Sequence, residues 1–322
     1  MGLPVGPWLR LIDFLAWRFP AVGAAEWAAR LASGDVVNPQ GQAMAADQAY
    51  QPHGKLYYYR CLPPEPRVAG SETVLFEDEL LVVADKPHFL PVTPSGVYLQ
   101  ETLLVRLRRR LGLDDLAPVH RIDRETAGLV LFTKQPATRR HYQALFAQRQ
   151  VQKTYEAIAP WRPDLAWPIT RASVMVDGEH FMQMCEVAAD VDAGQGGPPN
   201  AITTIDCLQI LGPWARYRLR PLTGQRHQLR VHMAALGLPI LGDQIYPVLG
   251  ALGQDDAANP LRLLAQSLEF RDPVSGVARH FVSERALEHQ ASHDALTGLI
   301  NRRGFDTLIQ QRIKACGLEG GG

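Results

Sequence analysis

Cysteine is scarce in this chain: Cys61, Cys185, Cys207 and Cys316 stand far apart and form no CxxC pair. Neither a disulfide framework nor a zinc site is suggested, which suits a reducing, cytoplasmic compartment. Excess charge of either sign is missing as well, since 33 lysines and arginines meet 33 aspartates and glutamates. No global basicity marks a nucleic-acid partner, so such a partner must be met by local patches. The stretch Met1–Pro20 carries Arg10 and Asp13 inside its apolar pattern and has no small-residue cleavage site. It reads as an amphipathic helix rather than a signal peptide or membrane span, and no membrane partner is expected. A helical zinc pair is also absent, because His227 and His232 lie five apart, out of the i, i+4 register, without an acidic HExxH partner. No metal is expected.

What is present is an ordinary globular composition, 46% hydrophobic and 20% charged over 322 residues, enough for one large core or two domains. Arginine clusters occur at Arg106/Arg108/Arg109/Arg110, Arg139-Arg140 and Arg216/Arg218/Arg220. Arginine's planar fork suits phosphate, and GC-rich coding would give the same preference. In chain order, Trp8 to Phe19 and Ala24 to Leu31 show helical apolar spacing, with Gly34 as a stop, followed by short strands at Val36-Val37 and Leu56–Arg60. Pro63–Gly70 has linker composition. Two strands around Glu77-Asp78 follow, then a helix over Glu101–Leu111 that turns Leu103, Leu104, Leu107 and Leu111 inward and Arg106, Arg109 and Arg110 outward. A further helix spans about Ala137–Gln148, and Val151–Ala159 alternates as a strand with Lys153, Tyr155 and Ala157 on one face. Gly194–Pro199 is a flexible excursion between hairpins. Strands are expected over Ala201–Ile210 and Tyr217–Pro221, then a helix opening in Thr223–His232 and ending at Gly237, with apolar closing segments at Leu261–Phe270 and His280–Ser283.

The segment that stands out is Pro118–Lys134, in which His120-Arg121-Ile122-Asp123 runs through Thr126 and Gly128 into the apolar strand Leu129–Thr133. On local grounds Arg121, Asp123 and Arg124 read as a solvated loop whose ions pair with one another. Likewise Tyr155, taken alone, reads as a core residue of a half-buried strand. Helical spacing in the later segment would set His227, Arg230 and Val231 on neighbouring faces, with Arg226 four before Arg230.

Taken together these stretches resemble the RluA-type RNA pseudouridine synthases. His120–Leu131 is similar to the HRLD…TSGLLL motif, Lys153–Ala157 to the K-x-Y-x-A strand, and Thr223–His232 to the TGRTHQIRVH helix. Leu238–Asp243 and Leu264–Phe270 resemble later signatures, so the likeness runs in order over about Ser71–Leu287. Ala127 stands where serine is usual, and Gln225-Arg226 where Arg-Thr is usual. The resemblance implies an α+β fold: a mixed, mostly antiparallel sheet with flanking helices. It also implies a reaction without cofactor, in which the N1–C1′ bond of a uridine breaks, the base turns and rejoins through C5. Asp123 would be the carboxylate, either as nucleophile or as the base that abstracts a sugar proton. Arg230 would orient it and keep it ionised, and Tyr155 would stack on the extruded base. Arg121 would fill the vacated space in the RNA, with His120, Lys153, Arg226 and His227 as further RNA-binding candidates. The implied partner is rRNA or tRNA, met by a monomer.

The N-terminal fifty residues resemble the α-L type RNA-binding module, and Ala291–Phe305 resembles the opening of GGDEF diguanylate cyclase domains, D-x-LTGLxNRRxF. No GGDEF or GGEEF loop follows in the sequence, so an appendage without cyclase activity is expected. The expected division is 1–62 for the RNA-binding-like module, 63–70 for the linker, 71–287 for the catalytic domain and 288–322 for the tail. An RNA-binding protein of the same fold that has lost catalysis is the alternative, and the retained Asp123, Tyr155 and Arg230 argue against it.

Overall fold

Residues 1–20, 22–58, 65–187, 198–250 and 255–287 are described by a computed structural model. The chain divides into two compact units, Met1–Pro64 and Glu65–Gly322. Arg60, the first residues of the Pro63–Gly70 stretch, most of the Gly194–Pro199 excursion and the tail from Glu288 lie outside the described residues. Among the described residues no helix is long and apolar enough to cross a membrane.

In the first unit, helix α1 (Leu11–Arg18) repeats apolar residues at i, i+3 and i+4, which buries Leu11, Phe14 and Leu15. Helix α2 (Ala24–Ala32) buries Trp27 and Leu31 against them. Gly34 takes φ +78, a left-handed turn that glycine adopts without steric penalty. The chain then enters strand β1 (Val36–Val37), which pairs antiparallel with β2 (Tyr57–Tyr58).

The second unit is built on one 11-stranded sheet with helices packed on its faces. Strands β3 (Thr73–Glu77) and β4 (Leu81–Lys86) form its first hairpin, closed by the Asp78 carboxylate, which accepts the Leu80 and Leu81 amides at 2.8 Å. Helix α3 (Leu103–Leu111) is capped by Thr102, whose hydroxyl accepts the Val105 amide. Then come β5 (Ala117–Pro118), the wholly buried β6 (Ala127–Thr133), helix α4 (Pro136–Ala147) and strand β7 (Gln152–Pro160). Strands β8 (Ile169–Asp177) and β9 (Met184–Val187) make a hairpin with no strong sequence signal. Strands β10 (Ala201–Leu211) and β11 (Trp214–Pro221) precede helix α5 (Gln228–Ala235), and β12 (Leu263–Arg271) and β13 (Ala278–Val282) close the sheet. The order is β3-β4-β6-β12-β7-β11-β10-β8-β9, with β13 beside β12 and β5 beside β6. Strand β12 runs parallel to β6, and every other strand pairing among the described residues is antiparallel.

The two-residue period of the buried strands sorts their side chains onto two faces. Val82, Ala84, Val130 and Phe132 pack against α3, while Leu81, Val83, Leu129 and Leu131 pack against α4. Helix α5 packs Leu229 and Met233 on Ala157, Ala159 and Tyr217 of β7 and β11.

Two expectations are corrected. The arginine face of α3 is folded back on its own unit. Arg106 pairs with Glu101 and Glu72 and Arg110 with Glu72, while the exposed Arg109 donates to the neutral Gln100 side chain, so two of the three outward arginines are already matched by carboxylates. The helix expected to open within Thr223–His232 starts at Gln228. Before it, the Gln228 side chain accepts from the Thr223 hydroxyl and the Gln225 amide and donates to Ile202 and Thr203 of β10, which holds 223–227 as a turn.

Candidate active site

The site lies where the loop before β6, the face of β7 and the start of α5 converge. Gly128 sets the height of that loop. It lies where β6 meets β12 in parallel, at φ +109, and a Cβ there would stand 2.3 Å from the Ala265 carbonyl oxygen, so no other residue fits the crossing. Five residues earlier the same loop carries Asp123, whose side chain is one-quarter exposed. Backbone carbonyls of the loop are held from below: Lys86 at the end of β4 donates to Arg124 O at 2.9 Å, and His88 Nδ1 lies 2.7 Å from Glu125 O. Arg124 leans outward, bidentate on Asp255 and over the rings of Phe89 and Tyr98.

Arg230 faces Asp123 from α5. Its guanidinium is 1% exposed and is clamped by Asp243, with Nε and Nη2 donating at 2.8 and 2.7 Å. Nη1 lies 3.6 Å from Asp123. The clamp and the surrounding carboxylates hold the Arg230 pKa above even the usual guanidinium range, against the opposing effect of burial. Asp243 in turn accepts the Ile245 and Tyr246 amides. Gly242 precedes it at φ +80, where a Cβ would meet the Pro260 carbonyl oxygen at 2.3 Å. His227 sits at the left-handed cap of α5, with Nε2 4.0 Å from Asp123 and Nδ1 3.0 Å from the Tyr246 hydroxyl. Burial holds His227 below the ordinary imidazole value, although Asp123 pulls the other way. Tyr155 of β7 packs on the core beside α5, and burial first, then the charge of Asp123, raises its phenol.

Asp123, Arg230, His227 and Tyr155 therefore come together from three separated segments. Arg121 is exposed and has no side-chain partner among the described residues. The remaining three candidates stand elsewhere. His120 belongs to the scaffold: its Nε2 accepts the Leu131 amide at 3.1 Å, and its ring stacks on Phe146. Lys153 donates to the Thr223 carbonyl at 2.7 Å, tying β7 to the turn before α5, and burial lowers it to about 8. Arg226 points away, donating to the Phe181 and Gln183 carbonyls of the β8–β9 hairpin. Residues that were not singled out also shape the site. Asp243, Glu125, Lys86 and Tyr246 are the main ones, and the turn at Leu238–Asp243 held the one hint, a carboxylate just after a glycine. Among the described residues no group of three or more His, Cys, Asp or Glu side chains is placed to hold a metal ion.

Three histidines, His232 fully buried and His88 and His120 half-buried, make this region sensitive to acid. Burial lowers His120 to about 3 and His88 and His232 to about 4. His232 is held neutral between the hydroxyls of Ser173 and Thr203, each 2.9 Å away. The unfolded chain binds these protons near the ordinary value of about 6.5 and the folded chain does not, so stability rises with pH between those limits. It is complete above about pH 6.5 and is lost as pH falls toward about 4. Thermal melts should show a midpoint that falls steadily over that window, and a flat midpoint would rule out neutral burial.

Comparison with known proteins adds four findings. The family model described as RNA pseudouridylate synthase matches residues 80–235. The ribosomal large subunit pseudouridine synthase D of Zymomonas mobilis is 30% identical over 81% of this chain and 85% of its own. The mitochondrial tRNA pseudouridine(32) synthase of Saccharomyces cerevisiae is 31% identical over 60% of this chain and 41% of its own, less than half of that relative. Among solved structures, human RNA pseudouridylate synthase domain containing 1 has the same fold at a TM-score of 0.55 and 23% identity, covering 77% of this chain and 96% of that one.

Proposed function

Because the chain belongs to the RluA-like family of RNA pseudouridine synthases, we propose that Asp123 is the carboxylate with which it converts uridine to pseudouridine in structured RNA, rRNA or tRNA. The observation that carries this reading is a half-buried carboxylate 3.6 Å from a buried arginine that is itself clamped from behind. A permanently charged guanidinium there holds the carboxylate in orientation. Either chemical role fits the geometry: attack on the sugar, or removal of a sugar proton. Tyr155 offers a ring on which the extruded uracil can stack, offsetting part of the unstacking energy. Arg121, exposed and unpaired among the described residues, is suited to the space the base leaves. The scarce, separated cysteines suit work in the cytoplasm. Tritium release from RNA carrying 5-tritiated uridine tests the activity, since C5 loses its hydrogen only when the base is rejoined there. Release from neither rRNA nor tRNA would sink the substrate assignment.

We further propose that the first unit contacts the RNA. An open surface depression of about 580 Å³ in that unit has Trp17, Arg18, His53 and Lys55 in its lining and no acidic residue. Trp17 is 61% exposed, so its ring is open to a base while the cations meet phosphate. Trp17→Ala should weaken RNA binding about tenfold. Lys55→Gln should reduce the salt slope of binding by about one. Both variants should leave tritium release at saturating RNA unaltered. Unchanged affinity and slope would remove this unit from the RNA interface.

A further inference from the structure

Arg230 has one donor that the site as described leaves unused. Nε and Nη2 bind Asp243, but Nη1 is buried and makes no hydrogen bond. Two carboxylates stand equally far from it, Asp123 and Glu125, each at 3.6 Å. That is longer than the roughly 2.7–2.9 Å of a charge-assisted hydrogen bond. Glu125 is not placed there by chance packing. Its other oxygen accepts from Arg124 Nε at 3.2 Å, and Arg124 is fixed in turn by the bidentate pair with Asp255 at 2.9 and 2.7 Å. The Glu125 carboxylate is thus held between two arginines, each with its own anion behind it.

We propose that Glu125 is a positioning residue for the reaction: it shares Arg230 Nη1 with Asp123, so that Asp123 is oriented by the guanidinium without being hydrogen-bonded to it. The proposal rests on the assignment of Asp123 as the reacting carboxylate. Asp123 gives up its negative charge whichever role it takes, by bonding to the sugar carbon or by accepting a proton. A guanidinium bound tightly to it would stabilise the ionised reactant and oppose that loss. A guanidinium held midway stabilises it less. The clamp from Asp243 stops Arg230 from turning to favour one partner, and Nη1 has two N–H bonds for two equidistant anions. Once Asp123 is neutral, Glu125 remains as the anion facing Nη1, so the buried guanidinium is never left with an uncompensated edge. Without the Glu125 charge, Nη1 has Asp123 alone, and the pair should close to hydrogen-bond distance.

The test is single-turnover tritium release beside RNA affinity for Glu125→Gln and Glu125→Asp. Glu125→Gln should slow release about tenfold to a hundredfold, the worth of one bond to a charged group. Its RNA affinity should stay within about twofold of wild type, and a crystal structure should show Nη1 closed on Asp123. Glu125→Asp keeps the charge on a shorter stem and should lie between Gln and wild type. Wild-type release by Glu125→Gln, equal impairment of Gln and Asp, or a rate loss matched by lost affinity would each overturn the sharing. If Glu125→Gln does not fold, Glu125→Asp decides: release slowed by about threefold or more at unchanged affinity supports the proposal, and wild-type release overturns it. Wild-type protein and Asp123→Asn run alongside separate the two assignments. A silent wild type, or an active Asp123→Asn, sinks the reading of Asp123 itself, whereas an active wild type with an unaltered Glu125→Gln sinks only this inference.

Discussion

Asp123→Asn protein is expected to release no tritium above background from RNA carrying 5-tritiated uridine, while binding that RNA about as tightly as wild type. The amide matches the carboxylate in size, so the loop before β6 keeps its shape, but it is neither a competent nucleophile nor a base. Removing the single group on which a covalent or proton-transfer step depends costs about 10⁴-fold or more. Affinity should hold because RNA binding draws mainly on phosphate contacts, and the substitution removes a negative charge rather than a positive one. The fold should hold as well. Arg230 would lose an anion 3.6 Å away but would keep Asp243 at 2.7 Å and Glu125 at 3.6 Å. Release within about tenfold of wild type would dismiss Asp123, and Glu125, the next carboxylate on the same loop, would become the candidate.

The parts of this architecture that repeat along the chain were open to reading, and those made by long-range partners were not. The continuous apolar run of β6, the alternation of β7 and the apolar spacing of α1, α3 and α4 announce those elements, because each pattern follows from how the element is buried. Thr223–His227 looks compatible with a helix, yet α5 starts only at Gln228. What unwinds it is the Gln228 side chain, which binds Thr223 and β10 at once, a partner that spacing does not reveal. The same blindness affected charge. Arg106 sits on the outward stripe of α3, and nothing in its neighbourhood along the chain says that Glu72 waits to neutralise it. His120 and Asp123 are three residues apart in one motif, yet one ring nitrogen accepts a β6 amide while the carboxylate meets α5. Motif order brought Asp123, Tyr155 and Arg230 into one site. It was silent on Asp243 and Glu125, the other two carboxylates that lie against the Arg230 guanidinium.

The buried pair between Arg230 and Asp243 makes Asp243→Ala the most informative stability variant. Arg230 and Asp243 are each 1% exposed and joined by two bonds of 2.7–2.8 Å. Deleting the carboxylate leaves a buried guanidinium with only distant anions, and breaking a buried pair from one side costs about 3–5 kcal/mol. It also releases the Ile245 and Tyr246 amides, and with Tyr246 the support of His227. Denaturant melts of Asp243→Ala should therefore show a lower midpoint with an unchanged m-value, together with loss of tritium release. The double variant Arg230→Met, Asp243→Ala removes the stranded charge as well as its partner. Apolar replacement of both members of a buried pair is often neutral, so the double variant should be more stable than Asp243→Ala alone. It should nonetheless stay inactive, because no guanidinium remains beside Asp123. A double variant no more stable than the single one would mean that the turn amides, not the buried charge, dominate the loss. Recovery of tritium release in that double variant would show that Asp123 works without Arg230, and would remove the arginine from the mechanism.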